Sequence, residues 1–151
     1  MILRRGTAPT ESPTDGDAVT VAAELLSGPG GLQRLSVEVH TLPAGGWSSD
    51  PHWHEQRDEL LYVLDGQLAV VEDATTHTLR PGDTAAWAAG VPVAHQVHNP
   101  TTEPARYLMA ASRTAHDVVH YPTLGRTLTI DGPRWRLVDD DGRVLREGRE
   151  A

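Results

Sequence analysis

Short apolar runs separated by turn-forming residues recur along this chain at intervals of roughly ten residues, the pattern of an all-β sandwich or barrel. The runs are Val19–Leu26, Leu32–Leu42, Leu60–Leu64, Leu68–Val71, His77–Leu79, Thr84–Ala88, Ala94–His98 and Ala105–Ala111. Their dividers are rich in Gly, Pro, Asp and Asn, as in Gly28-Pro29-Gly30-Gly31 and Arg80-Pro81-Gly82-Asp83. Asp65-Gly66 predicts a type I′ hairpin, because that turn needs positive φ at both central residues. Asp141-Gly142 predicts another, joining Trp135–Val138 to Arg143–Leu145. No stretch of about a dozen residues free of Gly and Pro keeps a 3.6-residue period. The only helical feature expected is a single turn over Thr114–Val119.

Alternation also assigns faces. In Leu35-Ser36-Val37-Glu38-Val39-His40 the odd positions are apolar, so Val37 and Val39 are expected to point inward, with His40 on the opposite face beside Glu38. In Glu59–Leu64 both faces are apolar: Glu59, Leu61 and Val63 share one, and Leu60, Tyr62 and Leu64 the other. A strand apolar on both sides needs cover on both sides, and a second subunit is the expected outer cover, so the chain is expected to be a homodimer. Residues 1–18, polar and rich in Pro, Thr and Gly, read as an N-terminal arm. Residues 19–112 read as the barrel. Residues 113–151 read as a β extension packed on it, too short to own a core.

Composition narrows the function. The 151 residues are 38% hydrophobic and 23% charged, which suits one soluble domain. No window approaches the ~20 apolar residues that span a bilayer. Met1–Gly6 is not followed by the apolar segment of a secretory signal, so a cytoplasmic location is expected. The net charge of −8 argues against nucleic acid, whose phosphates call for an excess of cations. Every basic residue is Arg, which excludes Schiff-base chemistry on a lysine. The chain has no cysteine and eight histidines. A metal site here would therefore be built from nitrogen and oxygen donors.

Such a site is visible in Gly46-x5-His52-x-His54-x4-Glu59-x6-Gly66. Residues two apart on an extended strand point the same way, so His52 and His54 present their imidazoles together and Trp53 points to the opposite face. Glu59 opens the next strand, from which its carboxylate can reach the same point. A further nitrogen must come from elsewhere, and His95 is the candidate, in Gly82-Asp83-x6-Gly90-x4-His95-x3-Asn99.

These two motifs resemble the paired signature motifs of the cupin superfamily, whose fold is a jelly-roll barrel (double-stranded β-helix). The first matches at Gly46, His52, His54, Glu59 and Gly66. The second matches at Gly82, Gly90, His95 and Asn99, with Ala88 where the pattern usually has Pro and two extra residues between Gly90 and His95. Together they span about a third of the chain. Ser48-Ser49 through Glu59, and Tyr121-Pro122, further resemble a group of bacterial single-domain cupins. Carried over residue by residue, the resemblance implies metal ligands at His52, His54, Glu59 and His95. The implied cofactor is one divalent transition metal: Fe, Mn, Ni, Cu, Co or Zn.

Three imidazoles and a carboxylate leave coordination positions open for a small-molecule substrate, water or O2. The metal could serve as a Lewis acid or generate a bound hydroxide, or bring O2 and substrate together. Glu59 could also serve as a base. Family frequency leans towards dioxygenase chemistry. Isomerisation, cyclisation or decarboxylation uses the same ligands, and a non-catalytic binding or sensing role is the third reading. Val37, Val39, Trp47, Leu61, Val63 and Trp87 are the expected pocket walls. Gln56, Arg57 and Asp58 read as a solvated turn, with shaping of the pocket mouth as the alternative, and His40, His77, His98, His116 and His120 as surface or packing residues. Nothing in the sequence connects Tyr121 with a substrate.

Overall fold

The computed structural model describes residues 1–12 and 21–150, so residues 13–18 of the expected arm and the start of the Val19–Leu26 run lie outside the described residues. Six strands form the first sheet: β1 (Thr10–Glu11), β2 (Ala22–Leu25), β3 (Leu35–Leu42), β5 (Glu59–Asp65), β8 (Thr84–Trp87) and β10 (Ala105–Ser112), ordered β1-β2-β3-β10-β5-β8. A second sheet holds β6 (Leu68–Glu72), β7 (Thr75–Leu79) and β9 (His95–His98), ordered β7-β6-β9. The third holds β4 (Trp53–His54), β11 (His116–Tyr121), β12 (Arg126–Asp131), β13 (Arg134–Asp139) and β14 (Val144–Arg149), ordered β14-β13-β12-β11-β4. Every pairing is antiparallel, and the architecture is the jelly roll.

Two bridges, Trp47 to His98 and His52 to His95, join the edge strand β9 to the segment that leads into β4. The second and third sheets are thereby continuous through the metal motif. The core lies between the first two sheets, around Leu42, Leu61, Val63, Leu68, Val70, Val97 and Tyr107. Asn99, fully buried, closes one corner by donating its amide to the carbonyls of Leu42, Pro43 and Glu103.

Three expectations are corrected. Thr114–Val119 forms no helical turn; its second half enters strand β11. Its β-branched Val118 and Val119 pair with β12, and sheet hydrogen bonds satisfy this backbone. Asp65-Gly66 does not close a hairpin either, since β5 pairs with β8 and β10 while β6 pairs with β7 and β9. The turn instead carries the chain from one sheet to the other. Gly66 holds φ of 78°, and a Cβ there would sit 2.8 Å from the Ala105 Cβ. The third correction concerns β3. Ser36, Glu38 and His40 face the interior cavity, while Val37 and Val39 lie on the other face, in register with Ala110 and Leu108 of β10. Apolar side chains cover both faces of this sheet, so the local alternation in β3 carried the wrong sense.

The outer face of β5 is apolar as expected: Leu60, Tyr62 and Leu64 are each 40–44% exposed. The expected second subunit would be seated there. Asp141-Gly142 does join β13 to β14 in a hairpin. Among the described residues no helix is long and apolar enough to cross a membrane.

Candidate metal centre

His52 and His95, from the two sequence motifs, are paired backbone to backbone: His52 N–H donates to the His95 carbonyl at 3.2 Å and His95 N–H to the His52 carbonyl at 2.9 Å. β4 carries His54 one alternation further, and Glu59 opens β5 in the facing sheet with its side chain on the inward side with Leu61 and Val63. His52, His54 and Glu59 each offer one donor atom, all within 4.8 Å of one another. His95 stands outside that group and meets it through Glu59: its Nε2 lies 2.9 Å from Glu59 Oε2, while His54 Nε2 lies 3.6 Å from Glu59 Oε1. Ligands held about 2.1 Å from one ion stand roughly 3–3.5 Å apart, so the group of His52, His54 and Glu59 suits a shared ion, and His95 would need to close on it from its place against Glu59.

The outer ring nitrogens give a second test of the fit. His52 Nδ1 lies 2.8 Å from the Asp50 carbonyl, His54 Nδ1 2.6 Å from Asp117 Oδ2, and His95 Nδ1 3.3 Å from the Val93 carbonyl. Each Nδ1 has an acceptor to which it can donate, and in that tautomer Nε2 is free to ligate. Imidazole nitrogens with one carboxylate form a donor set for Fe, Mn, Co, Ni, Cu or Zn.

Charge supports the same arrangement. Burial, chiefly, pushes the His52 imidazole down to about 4, so it is neutral near pH 7, the state ligation requires. Burial acts to raise the Glu59 carboxyl, but the hydrogen bond from His95 and the charges of His54 and Arg57 outweigh it and hold the group at about 2. Arg57 Nε stands 3.4 Å from Glu59 Oε1 and is buried without a hydrogen-bond partner among the described residues.

His52, Glu59 and His95 open onto a cavity of about 130 Å³ whose remaining wall includes Ser36, Glu38, His40, Arg57, Tyr107 and Met109. Three of these form a chain: Glu38 Oε2 lies 2.8 Å from His40 Nε2, and His40 Nδ1 lies 3.1 Å from the Tyr107 hydroxyl. The hydrogen bond from His40 lowers the Glu38 carboxyl despite its burial, so Glu38 is ionised near pH 7. Burial pushes the Tyr107 hydroxyl far above its usual range and keeps it protonated.

None of the six expected wall residues lines this cavity. Leu61, Val63 and Trp87 belong to the hydrophobic core, Trp87 stacking on the His95 ring at 3.9 Å between centroids. Trp47 stacks on His98 at 4.0 Å, and Val37 and Val39 face away. Trp53 stacks on His120, on the side of β4 away from the ligands. Conversely, sequence reading missed Glu38, His40, Tyr107 and Asp117, while Arg57 takes the alternative place at the pocket wall. His40 and Glu38 were placed on one face correctly, but that face was taken for the outer one. Asp117 lies in the C-terminal extension and carried no local signal.

The family model for the cupin domain matches residues 38–111. No curated protein matches the sequence. Among solved structures, a sugar phosphate isomerase from Silicibacter pomeroyi, from a cupin superfamily, is 28% identical, with a TM-score of 0.89 over 97% of each chain. A protein from Acidithiobacillus ferrooxidans, provisionally named for the same activity, is 26% identical with a TM-score of 0.83, over 94% of this chain and 91% of that one. An oxalate decarboxylase by prediction, from Thermotoga maritima, is 19% identical with a TM-score of 0.62, over 76% of this chain and all of that one. At that identity the likeness is one of fold alone.

Proposed function

We infer that this chain, which belongs to the cupin superfamily, is a metal-dependent isomerase of small phosphorylated hydroxy-carbonyl compounds. The observation that carries this reading is the ionised, cavity-facing Glu38 beside the group of His52, His54 and Glu59, which suits a divalent ion, with His95 against Glu59. The names of the two full-length neighbours support the substrate class. The expectation of dioxygenase chemistry came from family frequency, and neither of those two neighbours is named for it.

A divalent ion on the cluster would supply Lewis-acid polarisation of the substrate carbonyl, which a base as weak as a low-pKa carboxylate requires of its substrate. Glu38 is placed to accept the proton from the carbon beside the carbonyl and to return it to the former carbonyl carbon. With the proton of the neighbouring hydroxyl passing to the former carbonyl oxygen, carbonyl and hydroxyl exchange places and no oxidant or reductant is consumed. His40, hydrogen-bonded to Glu38 on one side and Tyr107 on the other, holds the carboxylate in place. Arg57 stands at the wall beside Glu59 with an N–H to offer an oxygen of the substrate.

The test is an assay of metal-reconstituted protein on a panel of aldose and ketose phosphates, with Glu38→Gln beside the wild type. Turnover with a kcat loss of roughly 10²- to 10⁴-fold in the variant is expected for removal of a proton-transfer group. Full activity in Glu38→Gln, or oxygen uptake without isomerisation, would sink the reading.

A further inference from the structure

A second concavity, about 480 Å³, lies on the C-terminal sheet next to the metal centre and is sized for a small metabolite. It abuts that centre through two of its lining residues. The Asp50 carbonyl faces His52 Nδ1 at 2.8 Å, and the Tyr121 ring lies 5.8 Å from the His52 ring, centroid to centroid. Strand register places its other walls. Arg126 stands directly across from Tyr121, while a single cross-strand row runs from His54 through Val119, Leu128 and Leu137 to Arg146. Leu128 and Leu137 are half-buried and form an apolar floor between the two arginines.

Charge distinguishes this cleft from the rest of the surface. Arg126, Arg134 and Arg146 line it, against two acids, Asp50 and Glu150. The local balance is therefore positive in a chain of net charge −8. Among the described residues none of the three guanidinium groups has a side-chain partner, as is true of Arg80 and others elsewhere, and what sets this cleft apart is that three of them line one concavity. Unpaired guanidinium forks over an apolar floor suit a ligand that carries an oxyanion at one end. Arg126 is about two strand spacings, roughly 10 Å, from β4, and Arg146 about four, roughly 19 Å, so an anion between them sits over the C-terminal sheet itself.

We propose that this cleft, on the Nδ1 side of His52, binds the phosphate group of a metabolite of the class inferred above, with Arg126 and Arg146 as the anion ligands. The inference rests on the isomerase reading for the identity of the whole substrate, but anion binding by the cleft can be measured without turnover.

The experiment is calorimetric titration with inorganic phosphate, ribose 5-phosphate and uncharged ribose. Wild type is expected to bind ribose 5-phosphate at least about tenfold more tightly than ribose. Arg126→Gln and Arg146→Gln should each weaken phosphate and ribose 5-phosphate binding by about tenfold or more, the loss typical of a charge-assisted hydrogen bond. Arg80→Gln, which removes an exposed and unpaired arginine outside the cleft, should change nothing and controls for overall charge. His52→Ala, measured without metal, should keep its affinity for inorganic phosphate, which separates this site from the metal centre. Failure of wild type to bind phosphate, or equal binding by an Arg126→Gln/Arg146→Gln double variant of unchanged melting temperature, would overturn the proposal. Retained phosphate binding in a protein that isomerises no sugar phosphate would uphold the cleft and refute the isomerase reading.

Discussion

Asp117 and His54, 63 residues apart in sequence, meet in a 2.6 Å hydrogen bond between Oδ2 and Nδ1. Asp117 is 4% exposed, and its other oxygen accepts the backbone N–H groups of Gln56 and Val118. It is thus a fixed acceptor, and through it the C-terminal sheet sets the orientation of a ring that faces Glu59. A carboxylate behind a histidine both selects the Nδ1–H tautomer and raises the basicity of Nε2.

Replacing Asp117 by Asn keeps the size of the side chain and removes its charge. Metal affinity should fall roughly 10- to 100-fold, the usual loss when such an outer partner is changed. Competition against a calibrated chelator measures it. An affinity unchanged in Asp117→Asn would deny that residue its positioning role.

The metal-free protein should lose stability on acidification in two stages. His52 titrates at about 4 in the folded chain against an ordinary 6.5, so between those values the unfolded chain binds the extra proton. Stability is complete above about pH 6.5 and drains away as pH falls to 4, by on the order of 2–3 kcal/mol for this group. Glu59, depressed from 4.5 to about 2, adds a second loss as pH falls through that lower range. Urea unfolding between pH 7 and 3 reads both, and His52→Ala should flatten the upper stage. Equal stability at pH 7 and 4.5 would contradict the burial of a neutral imidazole.

Gly66→Ala should destabilise the barrel. The backbone there has φ of 78°, and the new methyl would meet the Ala105 Cβ at 2.8 Å and its Cα at 2.9 Å. Both the positive φ and the crowding oppose the substitution, for a combined cost of about 2–4 kcal/mol. A shift of the urea midpoint with unchanged slope is the expected signature. A midpoint equal to wild type would mean that the close approach to β10 is not a tight contact.

Much of this molecule was legible in its sequence because the information was local. Turn residues at regular intervals marked the strands, and the spacing of two residues placed His52 and His54 on one side of the chain. Other features depended on long-range pairing. In β3 both faces are covered, so alternation of Val37 and Val39 with Glu38 and His40 could not say which side was the interior. Asp65-Gly66 has the chemistry of a hairpin turn, but the strand after it joins a different sheet, a decision made by β8, β9 and β10 rather than by the dipeptide. Tyr121 and Asp117 come to the site only because β11 pairs with β4. The polar wall of Glu38, His40 and Tyr107 was missed for the same reason, since it needs β3 and β10 in register.

The proposal that His52, His54 and Glu59, with His95, hold one ion is tested most directly by metal stoichiometry. Purified protein, stripped and then reconstituted with Fe, Mn, Co, Ni, Cu or Zn, should retain close to one equivalent of at least one of them through gel filtration. The His52→Ala/His54→Ala variant, folded by circular dichroism, should retain none. Wild type that holds none of the six metals, or a double variant that holds metal as well as wild type does, would contradict the account.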